Sequence, residues 1–320
     1  MARRAPASPN LKTVRATRYI KPMRGGSAAA LVGASDGKFY VVKTQRRDLP
    51  PRLLANEYIA TLLAAQVGLP VAEMAGVELN LPFLRASYDA MCAHRQDDRW
   101  FVPGLAFGSL APPPPFSDWT GESEALAAVN SCAFAGVLLF DIWTANVDTR
   151  QAVFARRAGA TYAYMIDHGH CFNAGRWQEM AHAPVMPLFR LAKIYQSVTG
   201  WASFEPYLSR IERLTPRSIW SAAKGVPSDW LREGRGALSS LVSGLAARAA
   251  RLRDVVTLVL VQRPDLFLRW FSSPGPDLVR LPPRVEKGRL LTQAQGLRSR
   301  ALPQFRPPAA GEPPGAAPAA

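Results

Sequence analysis

From Arg15 onward the chain switches repeatedly between two hydrophobic periods. The strings "RATRYIKP", "MRGGSAAALVGASDG" and "KFYVVKT" read as strand, glycine turn and strand. In the last of them Tyr40 and Val42 alternate with Phe39, Val41 and Lys43, and Asp36-Gly37 turns the chain just before. The spacing then becomes helical in "LLANEYIATLLAAQVG", where Leu54, Tyr58, Ile59, Leu62 and Leu63 set the pattern and Gly68-Leu69-Pro70 stops it. "VAEMAGVELN" predicts another strand. Residues 94–120 read as loop-rich, with "APPPPFSD" a proline-stiffened surface segment. Glu122 to Phe140 is the strongest helix in the pattern: Ser123 offers a cap, and the middle is apolar nearly all round, as in a buried helix. "QAVFARRAGATYAYMID" predicts a β-hairpin turning at Ala158-Gly159. From about residue 176 the chain is helical, through "IERLTPRSIWSAAKGVPSDWL" and one long helix, "ALSSLVSGLAARAARLRDVVTLVLVQ". A single stripe of Leu238, Leu241, Val242, Leu245, Leu252, Val255, Val256 and Val259 runs along that last helix.

Composition narrows the class. With 320 residues, 48% hydrophobic content and a mean hydropathy of −0.04, the chain can bury a large core as a globular protein. The longest apolar run, Ala125 to Phe140, is interrupted by Asn130 and Ser131 and is too short to span a bilayer. The first residues lack the apolar stretch of a secretory signal, so a cytoplasmic protein with no membrane partner is expected. Cys92, Cys132 and Cys171 are odd in number and about 40 residues apart, which supports neither a disulfide framework nor a zinc ribbon.

The net charge is +15, but its location matters more than its size. Residues 1–35 carry +7 and residues 280–320 carry +5, leaving only +3 for everything between. Such ends read first as disordered, solubilising segments. Nonspecific nucleic-acid binding through them is the competing expectation, one that would make this a nucleic-acid-associated protein.

Candidate chemistry comes from acids placed where apolar elements end. Asp141 and Asp148 follow the buried-helix pattern, and Asp167 closes the hairpin, 19 residues after Asp148. Phosphoryl transfer needs a cation on the nucleotide phosphates, a carboxylate to orient the attacking hydroxyl and another to hold a metal. The chain offers, in order, Lys43 at a strand end, Glu57 in the next helix, Asp148 after the buried helix and Asp167 after the hairpin. "RGGS" (Arg24 to Ser27) supplies a glycine turn able to approach phosphates closely. Each feature alone is weak; their order is what carries weight.

The strings "KPMRGGSAAALVGASDGKFYVVKTQ", "LANEYIATLLAAQVGLPV", "FDIWTANVD" and "IDHGHCF" resemble the HipA-like kinases, specifically their shorter, stand-alone branch. The resemblance covers roughly residues 15 to 235, leaving the basic ends and the long helix near 240–262 outside it. It implies an α+β, protein-kinase-like bilobal fold with a small β-rich N-lobe and a mainly helical C-lobe. The implied organisation is a basic disordered arm over 1–14, N-lobe and hinge over 15–110, helical C-lobe with catalytic and metal loops over 111–272, and a Pro/Ala/Arg-rich disordered tail over 273–320. The implied function is an ATP-dependent protein kinase acting on serine or threonine with Mg2+. Lys43 would hold the phosphates, with Gly25, Gly26 and Ser27 covering them; Glu57 would pair with Lys43, Asp148 act as base and Asp167 bind the metal. Asp141 reads as structural, capping the helix end or pairing within the loop.

One departure stands out. The family carries an asparagine, the second metal ligand, five residues after the base, where this chain has Val153. Gln151 is the expected substitute through its amide oxygen. The alternative is a nucleotide-binding pseudokinase without turnover. Among other motifs, "GASDGKF" fails as a Walker A loop because it is one residue short and Phe39 replaces Ser/Thr. "DHGHC" lacks a second ligand pair for zinc, so His170 is expected to organise the metal loop. "GLAFGS" (Gly104 to Ser109) reads either as the hinge side of an adenine pocket or as an ordinary aromatic-lined turn.

Overall fold

The computed structural model describes residues 11–23, 29–45, 52–94, 101–112, 116–118, 127–184, 192–231, 235–264, 267 and 269–270. Residues 1–10 and 271–320, the "RGGS" turn with Gly25, Gly26 and Ser27, and the expected cap Ser123 therefore fall outside the described residues, whereas Lys12, Arg15, Arg18 and Lys21 of the basic N-terminal stretch are among them. Five strands close a barrel in the order β1-β2-β3-β5-β4: β1 (Thr13–Pro22), β2 (Ala30–Ala34), β3 (Phe39–Lys43), β4 (Met74–Leu79) and β5 (Gly104–Leu110). Strands β1 and β4 close it in parallel; the other pairings are antiparallel. The period of two in "FYVVK" holds, since Tyr40 and Val42 are buried with Val14, Val32, Val77 and Ala106, while Phe39 faces outward.

Strand β5 corrects the expectation of a loop-rich 94–120. Gly104, Gly108 and Ser109 dilute its apolar signal, but Gly108 is required by packing: a Cβ there would come within 2.5 Å of the Val77 side chain on β4. The "GLAFGS" string is therefore a strand between β3 and β4 rather than a turn.

Helix α1 (Leu53–Val67) follows the barrel's third strand and ends where expected, at Gly68 with φ 88°. All its residues are buried except Leu62, Ala65 and Gln66. Helix α2 (Leu81–His94) packs against β1. Helix α3 (Ala133–Thr144) is buried along its whole length, which agrees with its apolar composition, and it runs past the expected end at Phe140. Residues 122–126 of the expected helix lie outside the described residues; Ala127 is helical, and turns at 128–132 separate it from α3. Asn130 explains the interruption. Its side chain donates to Ala163 O (2.8 Å) and accepts from Ala163 N–H (2.9 Å), so it serves as backbone partner to a strand instead of entering a helix.

A second sheet holds β6 (Phe116–Asp118), β7 (Gln151–Arg157) and β8 (Ala160–Ile166) in that order. The β7–β8 hairpin turns at Ala158 (φ 50°) and Gly159 (φ 81°), the two left-handed residues of a tight hairpin turn. Helices α4 (Tyr207–Glu212), α5 (Pro216–Ala223), α6 (Gly236–Ala250) and α7 (Leu252–Gln262) complete the C-terminal half. The expected single long helix is thus two. It breaks at Arg251, whose φ of −119° leaves the helical region and whose guanidinium donates to Ala181 O (3.0 Å). The apolar stripe nevertheless faces the core as expected, and α3 packs against α4, α6 and α7. The fold is α+β, strand-rich first and helical after. No helix among the described residues is long and apolar enough to cross a membrane.

Close approach at Gly136 is the tightest requirement of the α3 contacts, because a Cβ would meet the Tyr207 ring at 2.4 Å. Gly136→Ala is expected to cost about 1–3 kcal/mol by overpacking, read as a lowered melting temperature. Gly236→Ala, where the space is open, is the control and should be near neutral. Equal melting temperatures for the two variants would refute the packing assignment.

Candidate active site

Lys43 is the last residue of β3, its side chain turned out of the barrel toward α1 and the end of β8. Its Nζ donates to Glu57 Oε1 and to Asp167 Oδ1, the latter at 2.7 Å. All three side chains are largely buried. Burial opposes the charge on Lys43, but the Asp167 and Glu57 carboxylates outweigh it and hold the amine above its ordinary value. Burial likewise opposes the charge on Asp167, and Lys43, aided by His170 and Arg150, holds that carboxyl below the usual range. The second oxygen of Glu57 accepts the backbone N–H of His168 at 3.0 Å, tying α1 to the residue after Asp167.

Asp148 lies in the loop after α3. Its Oδ1 accepts the Thr149 N–H at 2.6 Å, its Oδ2 is 3.8 Å from His170 Nε2, and its side chain is 42% exposed. That exposure leaves an oxygen open to an incoming group, unlike the enclosed Glu57. The structure therefore brings Lys43, Glu57 and Asp167 into one connected cluster, with Asp148 linked to the same loop through His170.

Gln151 joins the cluster as well, with Nε2 donating to Asp167 Oδ2 at 2.7 Å. The hairpin register explains why. Gln151 pairs with Ile166, the residue before Asp167, whereas Val153 pairs with Tyr164, about 7 Å farther along the strands. The position five residues after Asp148 thus falls inside β7, and Val153 is buried there. The Gln151 nitrogen faces Asp167 here; only with the amide turned end for end, an orientation assigned from its hydrogen bonds, would its oxygen stand beside the Asp167 carboxylate. Two protein ligands suit Mg2+, which keeps waters and takes the rest of its shell from phosphates. Among the described residues there is no group of three or more His, Cys, Asp or Glu able to hold a metal by themselves. The "DHGHC" string accordingly makes no zinc site: His168 and Cys171 are buried, and burial pushes the Cys171 thiol up to about 12.

Asp141, expected to be structural, pairs with a residue the sequence reading overlooked. Arg150 grips it with two nitrogens, Nη2 on Oδ1 and Nε on Oδ2 (3.0 Å), while Nη1 donates to Ile166 O at 2.8 Å. Asn146 donates to Asp141 Oδ1 (3.0 Å) and accepts the Asp148 N–H (3.2 Å). One buried ion pair therefore fixes both the loop carrying Asp148 and the strand end carrying Asp167. His168 is also buried. Arg150 can only donate, so His168 Nδ1 accepts from it (3.2 Å), and burial, then Arg150, keeps the ring neutral. Asn56, beside Glu57, was overlooked too. The signal available for it was a paired "NE" in the middle of an otherwise apolar helix.

Comparison with known proteins bears on the family and the fold. The family model described as HipA-like kinase matches residues 18–252, so the match takes in α6, beyond the limit near 235 expected from the motifs. No curated protein matches significantly. Among solved structures, a Helicobacter pylori proinflammatory kinase, CtkA, is similar with a TM-score of 0.51 at 12% identity, over 79% of this chain and 98% of that one. A Golgi casein kinase with Mn/ADP bound has a TM-score of 0.44 at 17% identity, over 83% and 74% respectively. The CtkA likeness places the fold among protein-kinase-like structures.

Two outcomes follow from the buried charges. Arg150→Met leaves Asp141 buried without its cation and should cost about 3–5 kcal/mol in urea unfolding; Asp141→Leu combined with Arg150→Met should recover part of that loss. A double variant no more stable than the single would contradict the pairing. Asp167 has a folded pKa below its unfolded value, so its contribution is fully present above about 3.9 and is lost as pH falls through the folded value. The stability gap between wild type and Asp167→Asn should therefore narrow as urea unfolding is repeated at pH steps below about 4. A constant gap would contradict the Lys43–Asp167 coupling.

Proposed function

The chain belongs to the HipA-like kinase family, and we propose that it is an ATP-dependent phosphotransferase acting on a serine or threonine hydroxyl of a protein. The observation that carries this reading is the single buried amine of Lys43 held between Glu57 and Asp167. Two carboxylates against one cation leave this cluster one negative charge in excess, which suits a divalent cation at its open edge.

In this reading the Lys43 amine turns to the nucleotide phosphates while Glu57 keeps it oriented. Asp167, with Gln151, would hold magnesium, which when bound neutralises charge on those phosphates. Asp148 accepts a hydrogen bond from the acceptor hydroxyl and takes its proton. The hydroxyl oxygen bonds to the terminal phosphorus as the bond from that phosphorus to the bridging oxygen breaks, and ADP leaves. The half-exposed carboxylate of Asp148 supports this role, since an enclosed base would not reach a protein side chain.

A second reading, a nucleotide binder without turnover, is favoured by Val153, which is buried in β7 and offers no oxygen. The two are separable. At about 100 times Kd, Mg-ATP should stabilise the wild-type protein by about 2.7 kcal/mol, seen as a rise of several degrees in melting temperature, and Asp167→Asn should abolish the magnesium-dependent part. Asp148→Asn should keep that rise but lower phosphoryl transfer from labelled ATP about 10²–10⁴-fold. Wild-type binding without transfer would establish the silent reading. No rise at millimolar ATP would end both.

A further inference from the structure

The loop after Asp167 follows an improbable path. Asp167 has φ 63°, and Phe172, Asn173 and Ala174 take φ 60°, 53° and 52° in succession, a full left-handed turn without a glycine among them. L-residues resist this conformation because Cβ crowds the following carbonyl, so three in a row persist only where surrounding contacts hold them.

Besides the bond from Asn173 N–H to Ala145 O, those contacts come from the start of α1 and from Arg52 just before it. Asn56 Nδ2 donates to Gly169 O (2.8 Å) and to Cys171 O (3.0 Å), and Asn56 Oδ1 accepts from Trp177 Nε1 (2.9 Å). One fully buried amide thus spends both its N–H groups and its oxygen on the two sides of the left-handed turn. One helical turn earlier, Arg52 donates to Gly175 O (2.6 Å) and lies over the Trp177 ring at 4.4 Å. Glu57, the next residue, holds the His168 N–H. The helix that supplies the partner of Lys43 is in this way fastened to the loop that follows Asp167.

We propose that Asn56 is a positioning residue for Asp167: it holds residues 168–177 around the left-handed turn at 172–174, and through them fixes the direction of the Asp167 carboxylate. Its effect on metal binding rests on the nucleotide reading given above; its effect on the loop does not. Asn is required because the two facing carbonyls demand a double donor and the indole demands an acceptor. Asp and Ala each fail that demand, although Asp has the same shape.

The first test uses the full chain without metal or nucleotide. The amides of His168, Cys171, Asn173 and Ala174 are hydrogen-bonded to Glu57, His168 O, Ala145 O and His170 O, and should exchange with deuterium slowly. In Asn56→Ala and Asn56→Asp their exchange should accelerate at least about 10-fold, with α6 unchanged. Adding Ala174→Gly to Asn56→Ala should restore much of the protection, since glycine takes positive φ without strain. Should the Asn56 variants fail to fold, Trp177→Phe keeps the ring but removes the donor to Asn56, and a few-fold acceleration confined to the same amides is expected. Unchanged exchange at these amides in the variant that folds would overturn the proposal.

The second test titrates Mg-ATP and then ATP in EDTA, following fluorescence or melting temperature. Asn56→Ala should weaken the first at least about 10-fold and leave the second near wild type, a split that general destabilisation would not produce. Equal loss in both would reduce Asn56 to a packing role. A wild type that binds neither would sink the nucleotide reading while leaving the exchange result to decide the loop.

Discussion

The architecture converges on one ammonium group. Lys43 leaves the barrel, Glu57 stands on α1 and Asp167 follows the last strand of the second sheet, so a single cation joins a strand and its following helix to a loop 124 residues on. A buried charge without partners would be prohibitive, and a buried pair stabilises only when its remaining hydrogen-bonding capacity is filled. Here that capacity is filled from both sides, by the His168 N–H on Glu57 and by Gln151 on Asp167. The barrel cannot tilt away from the C-terminal half without stranding at least one carboxylate. The cluster thus fixes how the barrel and α1 meet the end of β8.

A second ionic knot lies directly beneath. Asp141 lies in the last turn of the buried helix α3, which ends at a left-handed cap, Ala145, and Arg150 clamps it while reaching the backbone of Ile166. The two knots divide the labour. One aligns the reactive side chains, and the other holds the backbone from which Asp148 and Asp167 project. Arg248 reinforces the same region from α6, donating to Ile142 O and Trp143 O at the end of α3 and to Ala183 O. That contact gives a structural reason for the family match to extend through α6.

Legibility in the sequence followed the range of the forces involved. Period-two alternation exposed β3, and the Ala158-Gly159 turn exposed the hairpin, because both are decided within a few residues. Strand β5 was hidden, since its glycines are dictated by the Val77 side chain on another strand. The break before α3 was hidden for the same kind of reason, Asn130 being claimed by β8. In the candidate site, Lys43, Glu57, Asp148 and Asp167 could be picked out by order along the chain. Arg150 could not, because a buried arginine declares itself only when its distant carboxylate is known; Asn56 left a polar mark in an apolar helix, but its role depends on carbonyls more than 100 residues away.

The tight turn at Ala158-Gly159 has an effect at the other end of its hairpin. It sets seven successive cross-strand pairs, from Arg157 with Ala160 back to Gln151 with Ile166. Side chains alternate between faces at each step, so the turn works as a ruler, choosing which residue of β7 stands beside Asp167. Lengthening that exposed turn by one residue would slide β7 against β8 and rotate Gln151 out of the cluster, with no change to any side chain within it. Among relatives of this chain, the length of a remote surface turn would then govern the composition of the site as surely as any substitution made inside it.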